Sequence, residues 1–193
     1  NALPTVAVNT AQVIDCNNTS AALDGTGSAT TDVTYAWTTS GTGSFTGATT
    51  GITATAATAG TYTLTVTETA TGCSDSDSVT VTVEVDTTLP TIVCPSNIAV
   101  DNDADICGAV VTYTAPVGTD NCTTGVTTTQ TDTTGFSSGS TFPVGVTTLE
   151  YTVTDAAGND TVCSFTVTVT DVQDPAIVCP SNIAVDNDAD ICG

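Results

Sequence analysis

The sequence predicts an all-β protein built from β-sandwiches in tandem, and three observations carry that reading. Val and Thr alternate over long runs, a period of two that sends one strand face inward and the other to solvent. Gly, Asn, Asp and Pro cluster between those runs as turn residues do, and no window has helical periodicity. The stretch IVCPSNIAVDNDADICG occurs at 92–108 and again, unchanged, at 177–193. A repeat offset of 85 residues belongs to whole small domains in series, not to a solenoid of short units.

Within residues 1–86 the strands are read from the alternation. Val6 and Val8 open the unit, Ala21 to Leu23 follow, and Tyr35 with Trp37 make a third strand. The clearest pair is Tyr62, Leu64 and Val66 against Val79, Val81, Val83 and Val85, with Thr on the solvent face between the apolar positions. Residues 87–171 form a second unit, and residues 172–193 begin a third.

Composition narrows the chemistry. The chain has no Lys, Arg, His or Met, and its 21 acidic residues give a formal charge of −21. That charge repels nucleic acid and anionic membrane alike. There is no imidazole to activate a nucleophile and no amine for a Schiff base, so only carboxylate catalysis is left by residue type. The glutamates Glu68, Glu84 and Glu150 fall in or beside strand patterns, where a solvated face explains them, and the chain is read as a non-enzyme. An apolar fraction of 39% argues for packed sheets over disorder. No apolar run approaches the ~18–20 residues of a membrane span, and the chain reads as an internal segment of a longer product. Eight cysteines without His or a CxxC pair read as disulfides, which places the protein in an oxidising, extracellular or cell-surface compartment.

Resemblance adds more. The run AGTYTLTV resembles the start of strand F in immunoglobulin-like sandwiches, which makes Tyr62 a corner tyrosine and Trp37 the inner residue of strand C. In the second unit the order CPSNIAV, ICGAVVTY, TDNC, GSTFPVGVTTLEYTVTDAAGN and CSFTVTVTD resembles the hyalin repeat (HYR) domain over nearly its whole length. The first unit is similar to the PKD-like or Ig-like modules that accompany such repeats, with AWTTSGTG where PKD domains carry WDFGDG. The resemblance implies seven-stranded sandwiches of the immunoglobulin or fibronectin kind in an extended rod. It also implies a structural stalk or filament segment of a large repetitive secreted or cell-surface adhesin, as in the giant SprB-type adhesins of gliding Bacteroidetes. The implied partners are neighbouring repeats of the same chain, with surface glycans or another adhesin copy beyond them.

By the same analogy Cys107 pairs with Cys163 and Cys94 with Cys122, one of three connectivities open to four cysteines. Arithmetic leaves Cys16 for Cys73, although an Ig-like layout puts those loops at opposite ends, beyond the ~7 Å Cα reach of a disulfide. Partners for Cys179 and Cys192 fall beyond residue 193.

An Ig-like layout also gathers acidic residues at the domain ends. One end collects Asp86, Asp120, Asn121, Asp155, Asn159 and Asp160; the other collects Asp101, Asp103 and Asp105 beside Asp171 and Asp174. Calcium takes six to eight oxygen ligands with tolerant geometry, so interdomain calcium is the cofactor expected, against the plainer reading that turns favour Asp and Asn. DNDADICG is not an EF-hand loop, because Ile106 stands where that loop needs Gly. Asp-Ser/Thr triplets at Ser78, Thr87, Thr133 and Thr161 resemble the O-glycosylation acceptor of Bacteroidetes. Two rival functions make demands of their own. A glycan- or ligand-binding module needs exposed aromatics, and a Thr-rich ice-binding array needs a flat face that twisted strands lack.

Overall fold

The structure is a computed structural model that describes residues 2–185. It is all-β, with twelve strands and no helix among the described residues. The first six are β1 (Gln12–Ile14), β2 (Ala21–Asp24), β3 (Val33–Ser40), β4 (Thr53–Ala56), β5 (Gly60–Glu68) and β6 (Ser74–Val83). The next six are β7 (Ile98–Asp101), β8 (Gly108–Val110), β9 (Thr127–Gln130), β10 (Thr141–Pro143), β11 (Gly145–Thr154) and β12 (Asp160–Thr170).

The period of two is what builds the first sandwich. In β5, Tyr62, Leu64 and Val66 are all fully buried, and the Thr residues between them face the other way. Antiparallel pairing sets Leu64 opposite Trp37 and Tyr62 opposite Val79. The four-stranded sheet β1-β6-β5-β3 and the two-stranded sheet β2-β4 then share one core, to which Ile14, Leu23, Trp37, Ala56, Tyr62 and Val81 contribute. Each of the larger aliphatic side chains among them, Ile14, Leu23 and Val81, is worth ~1.5–3 kcal/mol when taken out of water. Tyr62 holds the corner expected of it: its hydroxyl donates to the Thr58 carbonyl at 2.6 Å and accepts the Ser44 N–H at 3.0 Å. Trp37, 3% exposed, donates Nε1–H to the Gly51 carbonyl at 3.1 Å.

Residues 98–170 repeat the scheme with the sheets β7-β12-β11-β9 and β10-β8, and no ladder among the described residues joins a strand of this set to one of the first. By Cα proximity the chain divides into two compact units. One comprises residues up to Cys94 with Pro116–Thr131 and Glu150–Ser164; the other comprises Pro95–Ala115, Asp132–Leu149 and the residues from Phe165 onward. In both strand sets the first strand lies parallel to the last, and the registers agree: Gln12 faces Val81 and Ile98 faces Val167, each 69 positions apart.

Three details differ from the sequence reading. Val6 and Val8 precede the first ladder, which starts at Gln12, and each set has six laddered strands in place of seven. Val83 and Val85 are 54% and 70% exposed, because the β1–β6 ladder ends at the Ile14–Val83 pair and the chain then leaves the sheet.

The cysteine pairing differs as well, and the register explains it. The disulfides are Cys16–Cys122 and Cys94–Cys163, with Cα separations of 5.6 and 5.7 Å, and Cys73, Cys107 and Cys179 are free thiols. Cys73 immediately precedes β6, whereas Cys16 follows the partner of the last β6 residue, so roughly 30 Å of strand at ~3.3 Å per residue keeps the two apart. Cys94 stands four positions before Ile98 and Cys163 four before Val167, which extends the parallel register straight onto the disulfide. Cys107 lies past the other end of β7 and cannot compete for Cys163. In the first sandwich the corresponding pair is Val8 and Asp77, where the Val8 N–H donates to Asp77 Oδ2 at 3.2 Å. Cys192 and the second copy of DNDADICG from residue 186 lie outside the described residues.

Candidate metal centre

Three chain segments bring carboxylates together. The first is the stretch after β6, where Asp86 Oδ1 accepts the Thr88 N–H at 3.0 Å and the Asn121 amide at 3.3 Å. The second is the loop before β9. Reciprocal backbone bonds of 2.7 and 2.8 Å between Thr91 and Thr119 tie this loop to the chain after Asp86, and Asp120 Oδ2 then accepts the Cys122 N–H at 2.9 Å. The third is the tight turn from β11 to β12, in which Gly158 takes φ +93°, a left-handed conformation that suits glycine. There Asp155 accepts the Asn159 N–H and the Asn159 amide, both at 2.8 Å, while the same amide reaches the Asp86 carbonyl at 3.2 Å.

Carboxylate oxygens of Asp86, Asp120 and Asp155 consequently lie within 4.8 Å of one another. Two oxygens bound to one calcium at 2.3–2.6 Å stand up to ~5 Å apart, so the spacing fits that ion. Asp155 is 5% exposed, and Asp120 Oδ1 is buried without a hydrogen-bond partner, an unsatisfied acceptor of the sort a cation satisfies. Cys16 and Cys122 also stand close to Asp86, but their sulfurs are joined to each other and offer no thiolate.

Burial raises the Asp155 carboxyl, yet the Asn159 side chain and the backbone N–H groups of Asn159, Gly158 and Ala157 outweigh it and hold the group below the usual carboxylate range. The Thr88 N–H depresses Asp86 against an opposing contribution from burial, and the Asn121 amide adds to the depression. Depressed folded values mean stability that is present above the usual carboxylate range and is lost as pH falls through the folded pKa. We expect melting temperatures recorded in chelator to fall below about pH 4, and the Asp155→Asn variant to lose part of that acid limb. Coincident pH profiles for the two proteins would contradict the assignment.

The other residues expected as ligands take several places. Asn121 and Asn159 act as amide struts on the carboxylates, and Asp160 opens β12 as an exposed residue. At the other end Asp101 lies in the β7 ladder, Asp103 Oδ2 caps the Val110 N–H at 2.9 Å, and Asp105 pairs with Gln173 through bonds of 3.0 and 2.8 Å. Asp171 accepts the Gln173 N–H at 3.1 Å and Asp174 is exposed, so no three of these carboxylates converge among the described residues.

All three converging aspartates stand inside one recognisable segment. Residues 85–169 match the HYR domain family. Hyalin of Strongylocentrotus purpuratus is 39% identical over 103 residues, covering 51% of this chain and 8% of that protein. Hyalin of Lytechinus variegatus is 34% identical over 100 residues, covering 50% of this chain and 18% of its own length, so the chain spans only a small part of either relative. Among solved structures, the titin domains z1z2 in complex with telethonin superpose with a TM-score of 0.48 at 13% identity, over 89% of this chain and 98% of that one. The matched segment supplies every carboxylate of the candidate centre, and its Cys122 carries the disulfide to Cys16.

Proposed function

We propose that the chain is a stalk segment of a large secreted or cell-surface adhesin, a rod of sandwich domains bounded near residues 86 and 171 and stiffened at the junctions by calcium. The observation that carries it is the convergence of Asp86, Asp120 and Asp155, with Asp120 Oδ1 buried and unpartnered, where the chain leaves β6. A chain with no cationic side chain has nothing of its own to neutralise that cluster, and a divalent ion supplies the missing charge. Bound calcium ties linker, loop and hairpin together, which is what a stalk needs at a junction. The matched HYR segment and the disulfides support the extracellular part of the reading, and the neighbouring repeats are its first partners. The resemblance of the first unit to PKD-like or Ig-like modules is the ground for reading the source as a bacterial adhesin of the SprB type.

Thermal melts and small-angle scattering with calcium or chelator test this. At calcium a hundredfold above Kd the ion adds ~2.7 kcal/mol to folding, and the scattering narrows to a stiffer particle. Magnesium, which demands a stricter octahedron, should do less, and Asp120→Asn should abolish the response. Melts and scattering that ignore calcium would sink the proposal.

Modification is the second part of the proposal. Ser78, Thr87 and Thr133 are exposed and Thr161 is half-buried, so the first three are open to a glycosyltransferase on the folded surface. Protein from the native source should exceed the 19.1 kDa of the bare chain by intact mass. An unmodified mass there would end the idea.

A further inference from the structure

Cys16 and Cys107 lie in the corresponding loop of successive strand sets, Cys16 two residues past β1 and Cys107 directly before β8. Cys16 lies between β1 and β2, and Cys107 lies between β7 and β8. Cys16 sits in a cleft lined by residues 15–17, by residues 84–88 after the last strand of its set, and by Asn121. Cys107 sits in a cleft lined by Asn102, residues 105–107, Asp171 and residues 173–176, the last of which follow the last strand of its own set. The two post-strand segments correspond at the repeat offset, with Pro175 for Pro90 and Asp171 for Asp86. Their local bonding corresponds too: Thr88 N–H donates to Asp86 Oδ1 at 3.0 Å, and Gln173 N–H donates to Asp171 Oδ1 at 3.1 Å. At the first position the cysteine is already spent, bonded to Cys122 in the loop before β9; at the second it is an exposed free thiol. The sequence meanwhile begins the HYR pattern again at 177–193.

We propose that Cys107 forms a disulfide with the cysteine that a following HYR repeat carries at the place of Cys122, so that each domain is covalently stapled to the next. The proposal rests on the tandem reading given above. Two thiols lose two protons and two electrons as the S–S bond forms, and a low-molecular-weight disulfide takes them up and is reduced to two thiols. Cys73 has no such counterpart, since it precedes β6 at the far end of its sheet and the second set places Asn159 ahead of β12.

For the test, the chain is extended after residue 193 by residues 109–171 of its own sequence, folded with glutathione disulfide as oxidant, and mapped without reduction. An Asp-specific protease is needed because the chain has no Lys or Arg. The expected result is a linked peptide pair joining Cys107 to the added copy of Cys122, with alkylation of Cys107 falling at least tenfold relative to the unextended chain. In the same extended chain Cys107→Ser should leave the added copy of Cys122 alkylatable while Cys179 stays bridged to the added copy of Cys163. Cys107 still fully alkylatable beside a bridged Cys179, or linked to Cys107 of a second chain, overturns the staple. That result leaves the tandem reading standing, since the scattering measurement decides it separately. Array material from the native source, mapped in the same way, gives an independent answer.

Discussion

Replacing Cys94 and Cys163 together by Ser should lower the unfolding free energy by ~4 kcal/mol, the loss expected when a closed loop of this size is opened in the unfolded chain. The bonded residues are 69 positions apart, so the bond restricts a large part of the unfolded ensemble. In the folded state the β7–β12 ladder already sets these residues opposite each other, so the native structure needs little rearrangement when the bond goes. The effect should therefore come from the unfolded side and appear as a lower denaturation midpoint with a steeper denaturant dependence, since the freed chain exposes more surface. Cys73→Ser and Cys107→Ser remove thiols that bond nothing here and should stay within about 0.5 kcal/mol of the parent. A loss below about 1 kcal/mol for the double variant would show that the bond does not constrain the unfolded chain as argued.

The second large effect is expected at Tyr62. Its ring is fully buried and meets Phe45 edge-on at 5.0 Å, and Tyr62→Ala should cost ~3–5 kcal/mol, as truncation of a large core aromatic does. Tyr62→Phe keeps the ring and removes the hydroxyl, leaving the Ser44 N–H and Thr58 carbonyl without their partner at a cost of ~1–3 kcal/mol. The two variants together separate packing from hydrogen bonding in chemical denaturation. Equal losses would mean that the ring contributes nothing beyond the corner bond, and no loss in the Phe variant would mean the corner bond is idle.

Much of the fold is legible because its signal is local. Tyr62, Leu64 and Val66 alternate with Thr, and burial on one face follows directly from that alternation. The three-residue strand β1 left no periodic trace, and its parallel pairing with β6 is a long-range fact that no window of sequence holds. The cysteines were unreadable for the same reason, since pairing Cys94 with Cys163 requires knowing the parallel register first. At the candidate centre the residue types and the end of the domain were legible: Asp86, Asp120 and Asp155 converge as the layout implied. The part played by Asn121 and Asn159 was not, because a side-chain amide can accept as well as donate and only the structure shows their nitrogens on carboxylate and carbonyl oxygens.

The two disulfides also decide what the chain can do when it is pulled. Load entering at Cys16 crosses at once to Cys122, and load reaching Cys94 crosses to Cys163 and leaves along β12. The shortest covalent route between Cys16 and Cys163 therefore runs only through the residues from Cys94 to Cys122, and the rest of the chain between them cannot be drawn out without breaking a covalent bond. At the equivalent place in the first sandwich, the Val8–Asp77 hydrogen bond is a breakable link. Its failure frees only the residues ahead of Cys16, so tension frays that end of the sandwich while the remainder stays folded. Between Cys16 and Cys163 such a segment can lengthen only through the residues from Cys94 to Cys122, so it yields a limited distance and then holds at a covalent stop.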